Sequence, residues 1–226
     1  DSIMLMFDIG ANRGDAVLAG LKQGYKVIAI EAAPRVYAEL VRNFIYNPNV
    51  VPLRYAVSDS NNERLEFYEA IEDGLSTLNK DWLTKNGLPY AGKPFRTIQA
   101  NTITIDKLAE NYGEPDLIKI DVEGAEWNVF RGMTRAYEII TFEWTLETLA
   151  EHEKQLDYLY ELGYREFAFQ YIMPHLYRPR VWERTKSNNS GVLYDVWNET
   201  KEEWIHGGWK LGNLRPTADV GMLWLR

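Results

Sequence analysis

The chain has 226 residues, of which 46% are hydrophobic and 26% charged, so it can bury a core without disulfides or metals. Its net charge of -8 at pH 7 argues against nucleic acid and anionic membranes as partners, because their phosphates repel a surface of that sign. The absence of cysteine excludes disulfides, thiolate metal sites and cysteine nucleophiles.

Short apolar, β-branched segments alternate with longer amphipathic ones, the pattern of a sheet wrapped by crossover helices. Strands are predicted at residues 5–9, 26–31, 51–57, 116–121, 139–144, 166–171 and 220–225. Of the helices, one is predicted to end at Gly24, one to run from Pro34 to before Pro48, and one to cover 147–162. The pattern predicts a single α/β domain over residues 1–226.

Two regions interrupt this alternation. Residues 62–106 contain RLEFYEA, which predicts an antiparallel strand, followed by a Gly- and Pro-rich loop around KNGLPYAGKPF. Residues 173–218 form a long excursion between the last two strands, and this excursion holds half of the tryptophans. Connections of that length inside a compact domain are uncommon and tend to be functional.

The stretch FDIGANRGDA, residues 7–16, predicts a strand, a tight turn and a helix. A dinucleotide turn would read G-x-G-x-x-G, but here the middle glycine is absent between Gly10 and Gly14. The carboxylate of Asp8 would repel a pyrophosphate, whereas it suits the amino group and sulfonium of S-adenosylmethionine. The amides at the helix start can still bind that ligand's carboxylate. An NAD-linked oxidoreductase is therefore disfavoured.

Acidic residues also stand at the ends of the next two predicted strands. Glu31 stands where a carboxylate accepts both hydroxyls of a ribose, and Ser58 and Asp59 stand where an adenine amine could donate. Each acid alone could equally be a helix cap or a solvated turn residue. Three acids at three successive strand ends favour a nucleotide site, since ligands of open parallel sheets bind beyond those ends.

In IKIDVEGAE, Lys119 and Asp121 lie on one face of a strand, and Asp121 is predicted to be its last residue. Glu123, Glu126 and Glu143 would join Asp121 at one rim if the two strands are neighbours. Three interpretations stay open: a base or positioning group for a hydroxyl, ligands for a hard divalent cation, or caps of the helix entering at Gly124.

The motifs FDIGANRGD, IAIEAAP, TITIDKL and PDLIKIDVEGAEWNVFRGM together resemble the FkbM family of S-adenosylmethionine-dependent methyltransferases, which mainly methylate oxygen. The resemblance covers about residues 5–145 and implies a Rossmann-like class I methyltransferase fold. That fold is a seven-stranded, mostly parallel sheet with helices on both faces. Its last strand is antiparallel, and the stretch DVGMLWLR would supply it. By the same resemblance, the cofactor contacts include Asp8, Gly10, Asn12, Glu31 and Asp59.

The predicted site follows from these motifs together. The residues expected to bind the cofactor are Asp8, Gly10, Asn12, Gly14, Glu31, Ser58, Asp59 and Asp121. The residues expected to act on the acceptor are Asp121, Glu123, Glu143 and His175. No metal ligand is assigned, and a divalent metal is an alternative that we do not favour.

The acceptor is predicted from the excursion. Its tryptophans and tyrosines could stack on sugar rings while acids bind the hydroxyls, although such aromatics could equally bury the excursion against the sheet. His175 or His206 could be a base, whereas His152 is predicted on a helix surface. The predicted function is O-methylation of a sugar or glycan hydroxyl. The alternatives are a non-sugar acceptor of polyketide-like or phenolic type and a non-catalytic cofactor-binding module.

The chain begins at Asp1 with strand character by Ile3, which predicts a module of a longer polypeptide, with glycosyltransferase modules as candidate neighbours. Apolar runs stay well short of the roughly 18 residues of a membrane span, and a basic-then-apolar leader is absent. A cytoplasmic location is therefore predicted.

Overall fold

The computed structural model describes residues 3–145, 149–165, 167–171 and 220–226. The chain forms two compact units, Asp1–Thr134 and Arg135–Arg226. The prediction of one domain set in a longer chain stays a prediction.

Four parallel strands form the centre of the first unit, in the order β3-β2-β1-β7. They are β1 (Met4–Ile9), β2 (Tyr25–Ile30), β3 (Val50–Leu53) and β7 (Leu117–Ile120). Most of their side chains are buried, as expected for parallel strands covered on both faces. The register pairs Asp8 with Ala29 on one side and with Lys119 on the other.

Helices connect these parallel strands, as the sequence predicts. The helices of this unit are α1 (Asp15–Lys22), α2 (Pro34–Phe44), α3 (Lys80–Thr84), α4 (Ile105–Tyr112) and α5 (Glu126–Arg131). Helix α2 begins at Pro34, whose fixed φ suits a first helical residue, and it ends before Pro48. Helix α1 ends two residues before Gly24, which has a φ of +87°.

A second, three-stranded sheet in the same unit has the order β4-β6-β5. Its strands are β4 (Ala56–Val57), β5 (Arg64–Ala70) and β6 (Phe95–Ile103). The antiparallel strand predicted for RLEFYEA is confirmed, since β5 pairs antiparallel with β6. The prediction of a single strand at 51–57 is wrong. Strand β3 stops pairing with β2 after Leu53, and Ala56 of β4 then pairs with Thr102 of β6 in the other sheet. That partner is distant in sequence, so local pattern could not reveal the change of sheet.

The second unit contains β8 (Ile140–Thr145), α6 (Leu149–Leu162), β9 (Phe167–Tyr171) and β10 (Val220–Leu225). Its strands have the order β8-β10-β9, and β10 runs antiparallel to both neighbours. The predicted antiparallel last strand is thus confirmed, as is the mostly parallel α/β class. The predicted excursion 173–218, with His175 and His206, lies outside the described residues.

The prediction that His152 lies on a helix surface is wrong. It is 3% exposed, its Nδ1 lies 2.9 Å from Gln155 Oε1, and its ring packs 6.3 Å from that of Phe142. The buried face of α6 includes His152 and Gln155 beside Leu156 and Leu159. Hydrophobicity alone would place the first two outside. Their mutual hydrogen bond gives one ring nitrogen of His152 and the side-chain oxygen of Gln155 a partner in the interior.

Within the described part of the chain, no helix combines the length and the apolar character needed to span a membrane.

Candidate active site

The glycine-containing loop after β1 is shaped by residues with positive φ. Gly10, Asn12 and Gly14 have φ values of +78°, +50° and +103°. The amides of Gly10 and Ala11 both donate to Ile30 O, at 3.0 and 2.9 Å. A Cβ on Gly10 would lie 1.8 Å from Asp121 O, so only glycine lets this loop pass so close to the end of β7.

Lys119 links the carboxylates at the ends of two neighbouring strands. Its Nζ lies 3.2 Å from Asp8 Oδ1 and 3.6 Å from Asp121 Oδ2, and it donates to Gly10 O at 3.1 Å. Asp8 is fully buried and Lys119 is 5% exposed. Burial raises the pKa of Asp8, because desolvation disfavours its charged form more than the charge of Lys119 favours it. The sequence predicts the contact of Lys119 with Asp121 but not the one with Asp8.

Glu31 ties the glycine-containing loop to the end of β2. Its Oε2 accepts from Asn12 N at 2.9 Å, and its Oε1 accepts from Ala33 N at 2.8 Å. Burial raises the pKa of the carboxyl, although these two hydrogen bonds oppose the effect. Each carboxylate oxygen can accept a second hydrogen bond, so these contacts are compatible with the predicted binding of ribose hydroxyls.

Ser58 and Asp59 directly follow β4. Asp59 Oδ2 lies 2.5 Å from Nη2 of Arg131 in α5, and its Oδ1 accepts from Ser58 Oγ at 3.2 Å. Arg131 is a partner that sequence reasoning missed. The predicted contact of Asp59 with an adenine amine stays a prediction, and a cofactor would meet an aspartate that already has a cationic neighbour.

Residues 121–125, here called the 121–125 loop, carry two of the predicted acceptor-side acids. Strand β7 ends at Ile120, one residue before the predicted end, although Asp121 N still donates to Ile9 O at 3.0 Å. Glu123 has a φ of +53°, and its Oε2 accepts from Trp82 Nε1 at 3.1 Å. Trp82 lies far from Glu123 in sequence, and no local signal predicts this contact.

Glu126, which follows this loop, is buried at 6% exposure, and its Oε1 accepts from Val122 N at 3.3 Å. Burial, together with the negative charge of Asp121, raises the pKa of this carboxyl to about 7. Because Glu126 accepts from an amide of the loop that precedes its helix, it resembles a helix cap, which is one of the three interpretations that the sequence leaves open.

The other two acceptor-side candidates belong elsewhere. Glu143 lies in β8 of the second unit, is half-buried, and stands opposite Met222 of β10. His175 lies outside the described residues. The convergence of Glu143 and His175 with Asp121 and Glu123 therefore stays a prediction.

Three buried side-chain oxygens of the first unit indicate which ligand would fit. Asp8 Oδ2, Asn12 Oδ1 and Asp121 Oδ1 accept no hydrogen bond within the part of the chain that the structure describes. Buried acceptors without partners are costly and call for a donor. All three stand at the carboxyl ends of β1 and β7, so they fit a ligand with an amino group and a positive charge, as S-adenosylmethionine has. A pyrophosphate would offer only further negative oxygens.

Comparison with known proteins supplies the family. The sequence profile described as Methyltransferase FkbM domain matches residues 8–166, which is more than two thirds of the chain. The chain belongs to the FkbM methyltransferase family. The resemblance seen in the motifs is thereby confirmed.

The FkbM domain is also similar to a curated protein, the hexuronic acid methyltransferase AglP of Haloferax volcanii, with 30% identity over 143 residues. The alignment covers 61% of this chain and 53% of AglP, so the chain spans about half the length of that relative.

Among solved structures, the FkbM domain is similar to a predicted O-methyltransferase of Agrobacterium tumefaciens. The TM-score is 0.47 with 9% identity, covering the whole of this chain and 74% of that one. It is also similar to a precorrin-6y C5,15-methyltransferase of Geobacter metallireducens. The TM-score is 0.44 with 12% identity, covering 99% of this chain and 79% of that one.

In this FkbM domain, the sequence predicts acidic residues at strand ends but not most of their partners. Asp8 lies near the end of β1, whereas Glu31, Asp59 and Asp121 come just after strands. The glycine-containing loop lies where the motif predicts. Lys119 beside Asp8, Arg131 beside Asp59 and Trp82 beside Glu123 are pairs that depend on tertiary structure.

Proposed function

We propose that the protein is an S-adenosylmethionine-dependent O-methyltransferase that acts on a hydroxyl of a sugar or glycan. The observation that carries this proposal is the set of buried oxygens without hydrogen-bond partners, on Asp8, Asn12 and Asp121, within the described part of a chain of the FkbM methyltransferase family. These oxygens offer acceptors to a cationic ligand beside a glycine-containing loop.

In this proposal, each cofactor-binding residue has a role set by its chemistry. Asp8 and Asn12 bind the amino group, and Glu31 binds the ribose hydroxyls while it holds Asn12 N. Asp59, with Ser58 beside it, would accept from the adenine amine. Gly10 and Gly14 shape the loop, and the amides at the start of α1 bind the carboxylate. When bound, S-adenosylmethionine supplies a methyl group activated by its sulfonium.

The acceptor hydroxyl needs alignment and a base. Asp121 takes the hydroxyl proton while Glu123 holds the hydroxyl, with Glu143 and His175 as further candidates for the same task. A base of this kind contributes about 10²- to 10⁴-fold, and an alkyl hydroxyl, being a poor nucleophile, depends on it more than a phenol does. Alignment of the reacting oxygen contributes up to about 7–11 kcal/mol.

The sugar acceptor is supported by the relative that is named as a hexuronic acid methyltransferase. It is also supported by the four tryptophans of residues 173–218, since aromatic faces stack on the apolar faces of sugar rings. The cytoplasmic location and the link to glycosyltransferase modules are parts of the same proposal.

The test has a binding step and a transfer step. Calorimetry is expected to detect binding of S-adenosylhomocysteine but not of NAD, and the reverse result would overturn the proposal. Labelled methyl groups are then offered to hexuronic acids, neutral sugars, glycosides and phenols, with and without a chelator. Transfer to sugar hydroxyls is expected, whereas transfer to phenols alone would reject the sugar acceptor. Loss of activity in the presence of a chelator would favour a metal ion, rather than the proposed base, at the acceptor hydroxyl.

A further inference from the structure

Two residues from the segment between β5 and β6, Asn79 and Trp82, contact the 121–125 loop. We propose that they are positioning residues that orient the Glu123 carboxylate toward the acceptor hydroxyl. This inference rests on the proposed function. Within it, the inference assigns a role in catalysis to the β5-α3-β6 segment, which no motif of the sequence marks as functional.

The backbone of the 121–125 loop has a conformation that must be held from outside. Glu123 and Gly124 have consecutive positive φ values, +53° and +80°. For Glu123 this conformation is unfavourable, because its Cβ crowds the backbone, and such conformations persist only where surrounding contacts determine them. The position of the Glu123 side chain therefore depends on what packs against the loop.

Three contacts from the Asn79 and Trp82 side supply that support. Trp82 Nε1 donates to Glu123 Oε2 at 3.1 Å, and Asn79 Nδ2 donates to Gly124 O at 2.9 Å. The Trp82 ring lies against Gly124 so closely that a Cβ there would come within 2.9 Å of the ring. Asn79 thus holds the backbone of the loop, whereas Trp82 holds both the backbone and the Glu123 carboxylate.

Asn79 and Trp82 are themselves firmly supported. Trp82 is 3% exposed and belongs to a buried cluster with Tyr68, Ala70, Leu75 and Leu83. Its ring meets that of Tyr90 edge-on at 5.6 Å between centroids. Asn79 N donates to Thr77 Oγ1 at 2.9 Å, and Thr77 in turn pairs with Tyr68 through a β-bridge. The indole N–H therefore has a defined direction from which to hold the carboxylate.

The other side of the loop is held by β1 and by the start of α5. Asp121 N donates to Ile9 O at 3.0 Å, and Val122 N donates to the buried Glu126 carboxylate. The loop thus lies between the glycine-containing loop on one side and the Asn79 and Trp82 pair on the other. Loss of the second support frees Glu123 while leaving the cofactor side of the loop in place.

The test compares Trp82→Phe with Tyr68→Phe. Trp82→Phe keeps an aromatic ring but removes the donor to Glu123. Tyr68→Phe is the matched control, because it also removes an aromatic donor to a glutamate: within β5, Tyr68 Oη donates to Glu66 Oε2 at 2.9 Å. Trp82→Phe is expected to lower kcat/KM for the acceptor about 10- to 100-fold, the effect of losing a hydrogen bond to a charged group. The affinity for S-adenosylhomocysteine should be unchanged, and Tyr68→Phe should leave both quantities unchanged.

Two further measurements separate positioning from general damage. In a double-mutant cycle, Trp82→Phe should add little to the loss caused by Glu123→Ala, because Trp82 acts through Glu123. In ¹H–¹⁵N spectra, the indole signal that disappears in Trp82→Phe should shift in Glu123→Ala. Should Trp82→Phe unfold, Asn79→Ala carries the test, with the same expected loss of kcat/KM at constant cofactor affinity.

The outcomes distinguish this inference from the proposed function. An active wild-type protein with unchanged kinetics in Trp82→Phe and Asn79→Ala would overturn the inference alone. Fully additive losses in the cycle, or equal loss of cofactor affinity, would also overturn it, since both indicate general destabilisation. A wild-type protein that transfers no methyl group to any acceptor would overturn the proposed function, and this inference with it.

Discussion

Lys119 Nζ lies 3.2 Å from Asp8 Oδ1, because the register of the parallel strands β1 and β7 sets the two residues side by side. Both side chains are buried, so each charge depends on the other. The same ammonium lies 3.6 Å from Asp121 Oδ2. One lysine therefore balances an acid assigned to the cofactor and an acid assigned to the acceptor.

Removing this cation should destabilise the fold. Lys119→Met leaves two carboxylates at the site without their counter-charge, and we expect a loss of about 3–5 kcal/mol in the free energy of unfolding, measured by urea denaturation. In Lys119→Met/Asp8→Asn, part of that loss should be recovered, because one of the uncompensated charges is gone. Strictly additive effects of the two substitutions would contradict the coupling between them.

At Gly10, the loss of stability caused by contact with Asp121 can be measured separately from the loss caused by a side chain at positive φ. Gly10→Ala adds a Cβ that would overlap Asp121 O, whereas Gly87, with a φ of +94°, has open space around its Cβ position. We expect Gly87→Ala to cost about 1–2 kcal/mol of stability through its backbone alone. Gly10→Ala should cost at least about 2 kcal/mol more, and it should also weaken binding of S-adenosylhomocysteine. Equal losses of stability in the two variants would show that the structure around Gly10 adjusts to the added Cβ at no cost.

Glu126 should make stability depend on pH between about 4.5 and 7. Its pKa is about 7 in the folded chain against a usual value of 4.5, so the folded state binds more protons in this range, and stability falls as pH rises through it. Glu126→Gln should remove this contribution, worth about 3 kcal/mol across the range, as measured by denaturation at a series of pH values. Glu110→Gln, which changes an exposed glutamate paired with Lys107, is the control and should keep the wild-type slope. An unchanged slope in Glu126→Gln would show that Glu126 is not the titrating group.

Substitution of Glu31 should affect mainly cofactor binding, whereas substitution of Asp121 should affect mainly turnover. Glu31→Ala removes the acceptor of Asn12 N and should weaken binding of S-adenosylhomocysteine about 10- to 100-fold in calorimetry. Asp121→Asn should lower kcat about 10²- to 10⁴-fold while cofactor affinity is largely kept, because the amide oxygen can still accept a hydrogen bond from the cofactor, whereas the base is lost. Equal loss of cofactor affinity in both variants would show that Asp121 does not serve the acceptor.

The α/β class, most strand positions and the placement of acidic residues at strand ends could be predicted from the sequence alone. These features depend on local signals: apolar runs mark β1, β2 and β7, Pro34 marks the start of α2, and FDIGANRGD marks the loop that binds the cofactor in our proposal. Each signal extends over a few residues, because strand alternation, helix periodicity and turn chemistry are set by neighbours along the chain.

Only the tertiary structure decided which groups those acids meet. The register between β1 and β7 brings Lys119 to Asp8, the packing of α3 brings Trp82 to Glu123, and α5 brings Arg131 to Asp59. Burial of His152 and the division of the predicted strand 51–57 between two sheets have the same origin. The physical reason is that strand pairing and core packing join segments distant in sequence. The partner of each charge, and with it the electrostatics of the site, is therefore set by contacts that no local pattern records.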